Sequence, residues 1–74
     1  MSYVTGNTIR NLREKHGITQ KKLAEIINVS DKTVSKWETN KGLPDIGIIE
    51  ELAKALGVSV TELLTGDLKT NENV

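Results

Sequence analysis

Gln20 to Glu38, QKKLAEIINVSDKTVSKWE, is the stretch on which the fold turns. Leu23, Ala24 and Ile27 stand at i, i+1 and i+4, the spacing of a buried helical stripe, and Thr19 just ahead of them can cap the free amides of Lys21 and Lys22. The helix so defined is expected to stop near Ile27. Ser30 opens another: its hydroxyl can cap, Asp31 follows at the positive end of the helix dipole, and Val34 and Trp37 form an inward face. Only three or four residues join the two helices, which forces a sharp corner. To bury both stripes, with Val29, in one core the helices must cross steeply, and the small Ala24 permits the approach. The outer face of the second helix is then left over. Asp31, Lys32, Ser35 and Lys36, at i, i+1, i+4 and i+5, project together from it, a shape that suits the major groove of a duplex.

Working outward, Gly6 to Lys15 predicts a first helix with Ile9 and Leu12 on its apolar side and Gly17 placed to end it in a left-handed turn. Asn40, Lys41, Gly42, Leu43 and Pro44 make the one long break, after which Asp45 is expected to cap a fourth helix carrying Ile48, Ile49, Leu52, Ala53 and Leu56, closed by Gly57. Ser59 and Glu62 have the spacing of a capping box, opening a short fifth helix with Leu63 and Leu64 that ends at Gly66. Nothing alternates with period two over a useful length, so the expectation is an all-α, compact five-helix domain over residues 1–66. Residues 67–74 are polar, without apolar periodicity or a cap, and are expected to be a flexible tail or a truncated linker to a further C-terminal domain.

Seventy-four residues, 36% hydrophobic and 27% charged, suffice for one modest core. The absence of cysteine rules out disulfides and thiolate metal sites, so stability has to come from close helix packing. Met1 to Thr5 lacks the layout of a signal peptide, and no apolar run approaches the ~18 residues of a membrane span, so a soluble, cytoplasmic protein is expected. The formal net charge of zero argues at first against a polyanionic partner. That average hides two opposite halves. Between residues 10 and 41 there are eight bases (Arg10, Arg13, Lys15, Lys21, Lys22, Lys32, Lys36, Lys41) against four acids, whereas residues 42–74 hold two bases against six acids. The result is a dipolar molecule, able to orient on a charged surface.

The chain resembles the Cro/repressor family of helix-turn-helix proteins, the XRE family, from about Ile9 to Leu64. The resemblance rests on Leu12-Arg13 before a glycine, Thr19-Gln20-x-x-Leu23-Ala24, Val29-Ser30 at the start of the recognition helix, Trp37-Glu38 at its end, and Leu52-Ala53-x-x-Leu56-Gly57-Val58-Ser59 followed by Leu63-Leu64. One departure stands out. The family has glycine at the turn where this chain has Asn28, and asparagine tolerates positive φ better than most residues.

The resemblance implies a λ-repressor-like fold and sequence-specific binding of double-stranded DNA by a recognition helix at about residues 31–39, in a transcriptional regulator that acts as a repressor. Asp31, Lys32, Ser35 and Lys36 then occupy the base-reading positions. Lysines donate to guanine O6 and N7, whereas Asp31 can only accept, for instance from cytosine N4, and repels phosphate. For Asp31 a second role, compensation of the helix dipole, is equally open. Phosphate contacts are expected from Arg10, Thr19, Gln20 and the free amides beside it, Asn40 and Lys41, which fix register rather than sequence. Lys21 and Lys22 either add to these or are simply solvated. Arg13 and Glu38 are implied to form a partly buried structural salt bridge, removing Arg13 from the DNA contacts.

Other classes fare worse. The lone His16, at the end of the first helix where histidine commonly meets exposed carbonyls, has no second histidine or cysteine for a metal, and no catalytic grouping is visible, so no enzyme, cofactor or metal is expected. Trp37, one turn after Val34, is expected in the core rather than as a stacking platform. The rivals are a protein-interaction module on a helix-turn-helix scaffold, which should present an apolar or acidic face, and an antitoxin of a toxin-antitoxin pair. A homodimer on a palindromic operator is expected, with contacts around Val60, Leu63 and Leu64.

Overall fold

The computed structural model describes residues 4–65. Five helices follow one another: α1 (Gly6–Lys15), α2 (Gln20–Ile27), α3 (Asp31–Glu38), α4 (Ile46–Leu56) and α5 (Val60–Thr65), with no strand among the described residues. The expected end at Gly66 and the tail 67–74 lie outside them.

The termini of these helices follow local chemistry. Thr19 Oγ1 accepts from the Lys22 amide at 3.0 Å, but not from that of Lys21, and Ser30 Oγ accepts from the Thr33 amide at 3.2 Å. Ser59 and Glu62 close a reciprocal box: Ser59 Oγ accepts from the Glu62 amide at 3.0 Å, and the Ser59 amide donates to Glu62 Oε1 at 2.9 Å. Asp45 stands at the N-cap of α4 yet makes no side-chain hydrogen bond there, a departure from the expected cap. The proximity of its charge to the helix dipole remains. α3 ends at Glu38, with Thr39 as its C-cap.

Asn28 has φ 62°, ψ 48°, the left-handed conformation that ends α2 and aims Val29 and Ser30 toward α3. Its neighbour's amide, Val29 N, returns to Ala24 O at 2.9 Å, satisfying a carbonyl that the helix leaves over. The turn therefore survives without glycine.

The core gathers Ile9 and Leu12 from α1, Leu23, Ala24 and Ile27 from α2, Val34 and Trp37 from α3, Ile49, Leu52, Ala53 and Leu56 from α4 and Leu63 from α5, with Val4 added from the segment before α1. α2 packs on both α3 and α4, while α1 braces α3 and α4 and α5 folds back on α4. Burial of Leu63 corrects the expectation that it lies in a dimer contact: only Val60 and Leu64, one turn apart on α5, are left half-buried.

Three long-range contacts hold the ends of the helices. His16 Nε2 lies 2.7 Å from Leu56 O, so the histidine meets the last carbonyls of α4 rather than those of its own helix. The Gly6 amide donates to Asn40 Oδ1 at 3.0 Å. Gly6 itself is pressed against the end of α3, where a Cβ would fall 2.3 Å from Trp37 O and 2.5 Å from Glu38 O. Only glycine fits there.

Candidate nucleic-acid interface

α3 is a helix of eight residues with two unlike sides. Val34 and Trp37 are sunk in the core, while Asp31, Lys32 and Lys36 are exposed and Ser35 is half-buried. Because Ser30 caps the helix, the Asp31 carboxylate is not consumed by a backbone amide. Among the described residues, no ion pair or hydrogen bond engages the side chains of Asp31, Lys32 or Lys36. Two cationic groups and one anionic group thus face outward from a helix whose other side is fixed.

The fixing is done chiefly by Glu38. Arg13 Nε donates to Glu38 Oε2 at 2.6 Å and Arg13 Nη2 to Glu38 Oε1 at 3.1 Å, a forked pair, and Arg13 Nη1 also donates to Ile18 O at 2.8 Å. The side chains are only 12% and 3% exposed, so water does little to weaken the pair. Hydrogen bonding to Glu38 is the main reason that the Arg13 guanidinium is held above its ordinary pKa; burial opposes this, and the charges of Glu38 and Glu14 reinforce it. Arg13 remains a cation at every pH the fold meets.

Several groups expected at phosphates have partners inside the molecule. Arg10 Nε pairs with Glu14 Oε2 at 3.2 Å on an exposed face, an i, i+4 bridge of little energetic weight. Gln20 Nε2 donates to Glu38 Oε1 at 3.0 Å, a bond that no sequence spacing announced because eighteen residues separate the two. The Thr19 hydroxyl oxygen is occupied by Lys22 N, and Asn40 Oδ1 by Gly6 N. The Lys41 side chain is exposed, and its backbone amide closes onto Lys36 O at 2.8 Å. Arg10, Thr19 and Lys41 reach solvent, and so does Asn40.

No group of three or more histidine, cysteine, aspartate or glutamate side chains among the described residues is placed to hold a metal ion, and none of the helices there is long and apolar enough to cross a membrane.

Two short helices joined by a left-handed residue, the second with a polar outer face and its end clamped by an arginine–glutamate pair, define a helix-turn-helix domain. The chain belongs to the helix-turn-helix family, whose model matches residues 9–63, and within it to the Cro/repressor type. It is 38% identical over 63 residues to the repressor protein C2 of Salmonella phage P22, and 37% identical over 59 residues to the HTH-type transcriptional activator BcrR of Enterococcus faecalis. These alignments take in 85% and 80% of this chain but 29% of each relative, so the chain spans under a third of their length. Among solved structures, the P22 c2 repressor in complex with a synthetic operator superposes with a TM-score of 0.81 at 35% identity, covering 89% of this chain and all of that one. The regulator of biofilm formation SinR, from Bacillus subtilis, in complex with DNA, superposes with a TM-score of 0.74 at 33% identity, covering 80% of this chain and 95% of that one.

Proposed function

We propose that this domain is the DNA-reading part of a transcriptional regulator and that it seats α3 in the major groove of double-stranded DNA. The observation that carries this reading is the unpaired, outward row Asp31, Lys32, Ser35 and Lys36 on a helix whose opposite side and end are immobilised. Lys32 and Lys36 are free to donate to guanine edges, and Asp31 to accept from cytosine. Arg10, Thr19, Gln20, Asn40 and Lys41 surround that row as phosphate contacts, with Arg10 and Gln20 exchanging their internal partners for the backbone of the duplex. The similarity to a repressor and a regulator crystallised on DNA supports the same use of α3 here.

The regulatory sign we infer is repression, supported by the likeness to the phage repressor; the likeness to an activator shows that the same scaffold serves both. The domain acts in the cytoplasm, as a homodimer on a palindromic site, through Val60 and Leu64, and performs no catalysis. Residues 1–66 are the reading domain and residues 67–74 a polar tail or linker.

Selection from a randomised duplex pool tests this, with Lys36→Ala and Lys32→Ala in parallel and salt varied. A palindromic site should emerge, and Lys36→Ala should relax one base position at a cost of about 1–3 kcal/mol. Affinity should fall steeply with salt. Absence of any enriched sequence at low salt sinks the reading in favour of a protein-interaction module.

A further inference from the structure

Asn40 performs two tasks that are met together at one position. It follows the C-cap of α3 with φ 61°, the left-handed region, and its own amide donates to Trp37 O at 3.1 Å. Its side chain meanwhile crosses to the other end of the chain, where Oδ1 accepts from the Gly6 amide at 3.0 Å. That amide belongs to the first residue of α1, whose opening N–H groups have no acceptor within the helix. Thr5 Oγ1 takes the Thr8 amide at 3.2 Å, and Asn40 takes that of Gly6. The bare Cα of Gly6 lets the two helix ends close up, so that the positive end of α1 meets the terminal carbonyls of α3. Glycine satisfies the backbone requirement at position 40 better than any other residue but offers no side-chain acceptor; most other side chains offer an acceptor or the turn, not both.

We propose that Asn40 is a positioning residue for α3: its carboxamide oxygen ties the exit of the recognition helix to the entrance of α1, independently of the Arg13–Glu38 pair. Because Oδ1 is committed to Gly6, Nδ2 is fixed as the group that faces outward and donates to a phosphate oxygen. This rests on the DNA-reading function proposed above. A base-specific complex requires side chains of α3 to meet base edges within hydrogen-bond tolerance, whereas non-specific association needs only charge. Loosening the tie therefore weakens the specific complex more than the non-specific one.

The test uses the 74-residue chain with Asn40→Gly, which keeps the turn and removes the acceptor, and Asn40→Asp, which keeps both and removes the Nδ2 donor. Hydrogen exchange of the Gly6 amide, followed by NMR without DNA, should quicken about fivefold in Asn40→Gly and stay slow in Asn40→Asp. The ratio of affinity for the selected site to affinity for unrelated duplex should fall roughly three- to tenfold in Asn40→Gly. In Asn40→Asp both affinities should drop together, from the lost donor and the added negative charge, leaving the ratio intact. Unchanged Gly6 exchange in Asn40→Gly overturns the tie. Faster exchange with an unchanged ratio overturns the positioning role. Should the wild-type chain show no sequence preference, the DNA reading falls and the positioning role with it, while the exchange result still reports on the tie itself.

Discussion

The guanidinium of Arg13 and the carboxylate of Glu38, twenty-five residues apart in the chain, meet as a two-pronged pair with bonds of 2.6 and 3.1 Å. Glu38 Oε1 also accepts from Gln20 Nε2, so one carboxylate joins α1, α2 and α3. Removing Arg13 strands that carboxylate in a site where it is 3% exposed. Arg13→Met is therefore expected to destabilise the fold by about 3–5 kcal/mol, read as a lowered urea midpoint. The double variant Arg13→Met, Glu38→Leu should regain much of that loss, because replacing both members of a buried pair is far cheaper than orphaning one. A double variant as unstable as the single one contradicts this account.

Gly6 sets two effects against each other. Alanine is favoured over glycine inside a helix by about 0.5–1 kcal/mol. At position 6, however, the added methyl meets the backbone oxygens of Trp37 and Glu38, which cannot swing away as a side-chain tip can. We expect the collision to prevail, with Gly6→Ala destabilising by roughly 1–3 kcal/mol as α1 is pushed off α3. Thermal unfolding decides the sign.

Position 28 offers the converse case. Its left-handed backbone costs an ordinary L-residue about 1–2 kcal/mol, less for asparagine and nothing for glycine. Asn28→Gly should thus change stability by less than about 1 kcal/mol, since relief in the turn is offset by the greater freedom of the unfolded chain. Asn28→Val, β-branched, should lose about 2 kcal/mol or more. Equal denaturation midpoints for the two variants would argue that the turn relaxes out of its left-handed geometry.

Caps with and without a hydrogen bond should separate in salt. Thr19→Ala, Ser30→Ala and Ser59→Ala each remove an oxygen that accepts a backbone amide, at an expected cost of about 0.5–2 kcal/mol that salt leaves in place. Asp45 makes no such bond, so Asp45→Ala should lose only the charge–dipole attraction, about 0.3–1 kcal/mol, and less as salt is added. Melting curves at low and high ionic strength distinguish the two kinds.

What could be read from the sequence was local. Thr19, Ser30, the Ser59–Glu62 box and the glycines at 17 and 57 act within a few residues of their own position, and the helix limits they imply agree with those of the structure. The stripes at Leu23, Ala24, Ile27, Val34 and Trp37 likewise announced their burial. Contacts between distant segments left no such trace. The pairs Gln20–Glu38, Asn40–Gly6 and His16–Leu56 depend on how whole helices dock, and no residue spacing encodes that. The Arg13–Glu38 bridge was foreseen only through family resemblance. In the six residues of α5, periodicity was too short to tell which leucine turns inward; packing on α4 selects Leu63.

The clamp on α3 and its outward row share no atoms of the side chains that matter to each. Val34, Trp37 and Glu38 hold the helix, while the side chains of Asp31, Lys32 and Lys36 make no hydrogen bond or ion pair among the described residues. A scaffold arranged in this way tolerates revision of its message. On the proposed reading, new residues at 31, 32 and 36 alter which address is recognised without endangering the holder, so lineages can diverge in target while inheriting one stable frame.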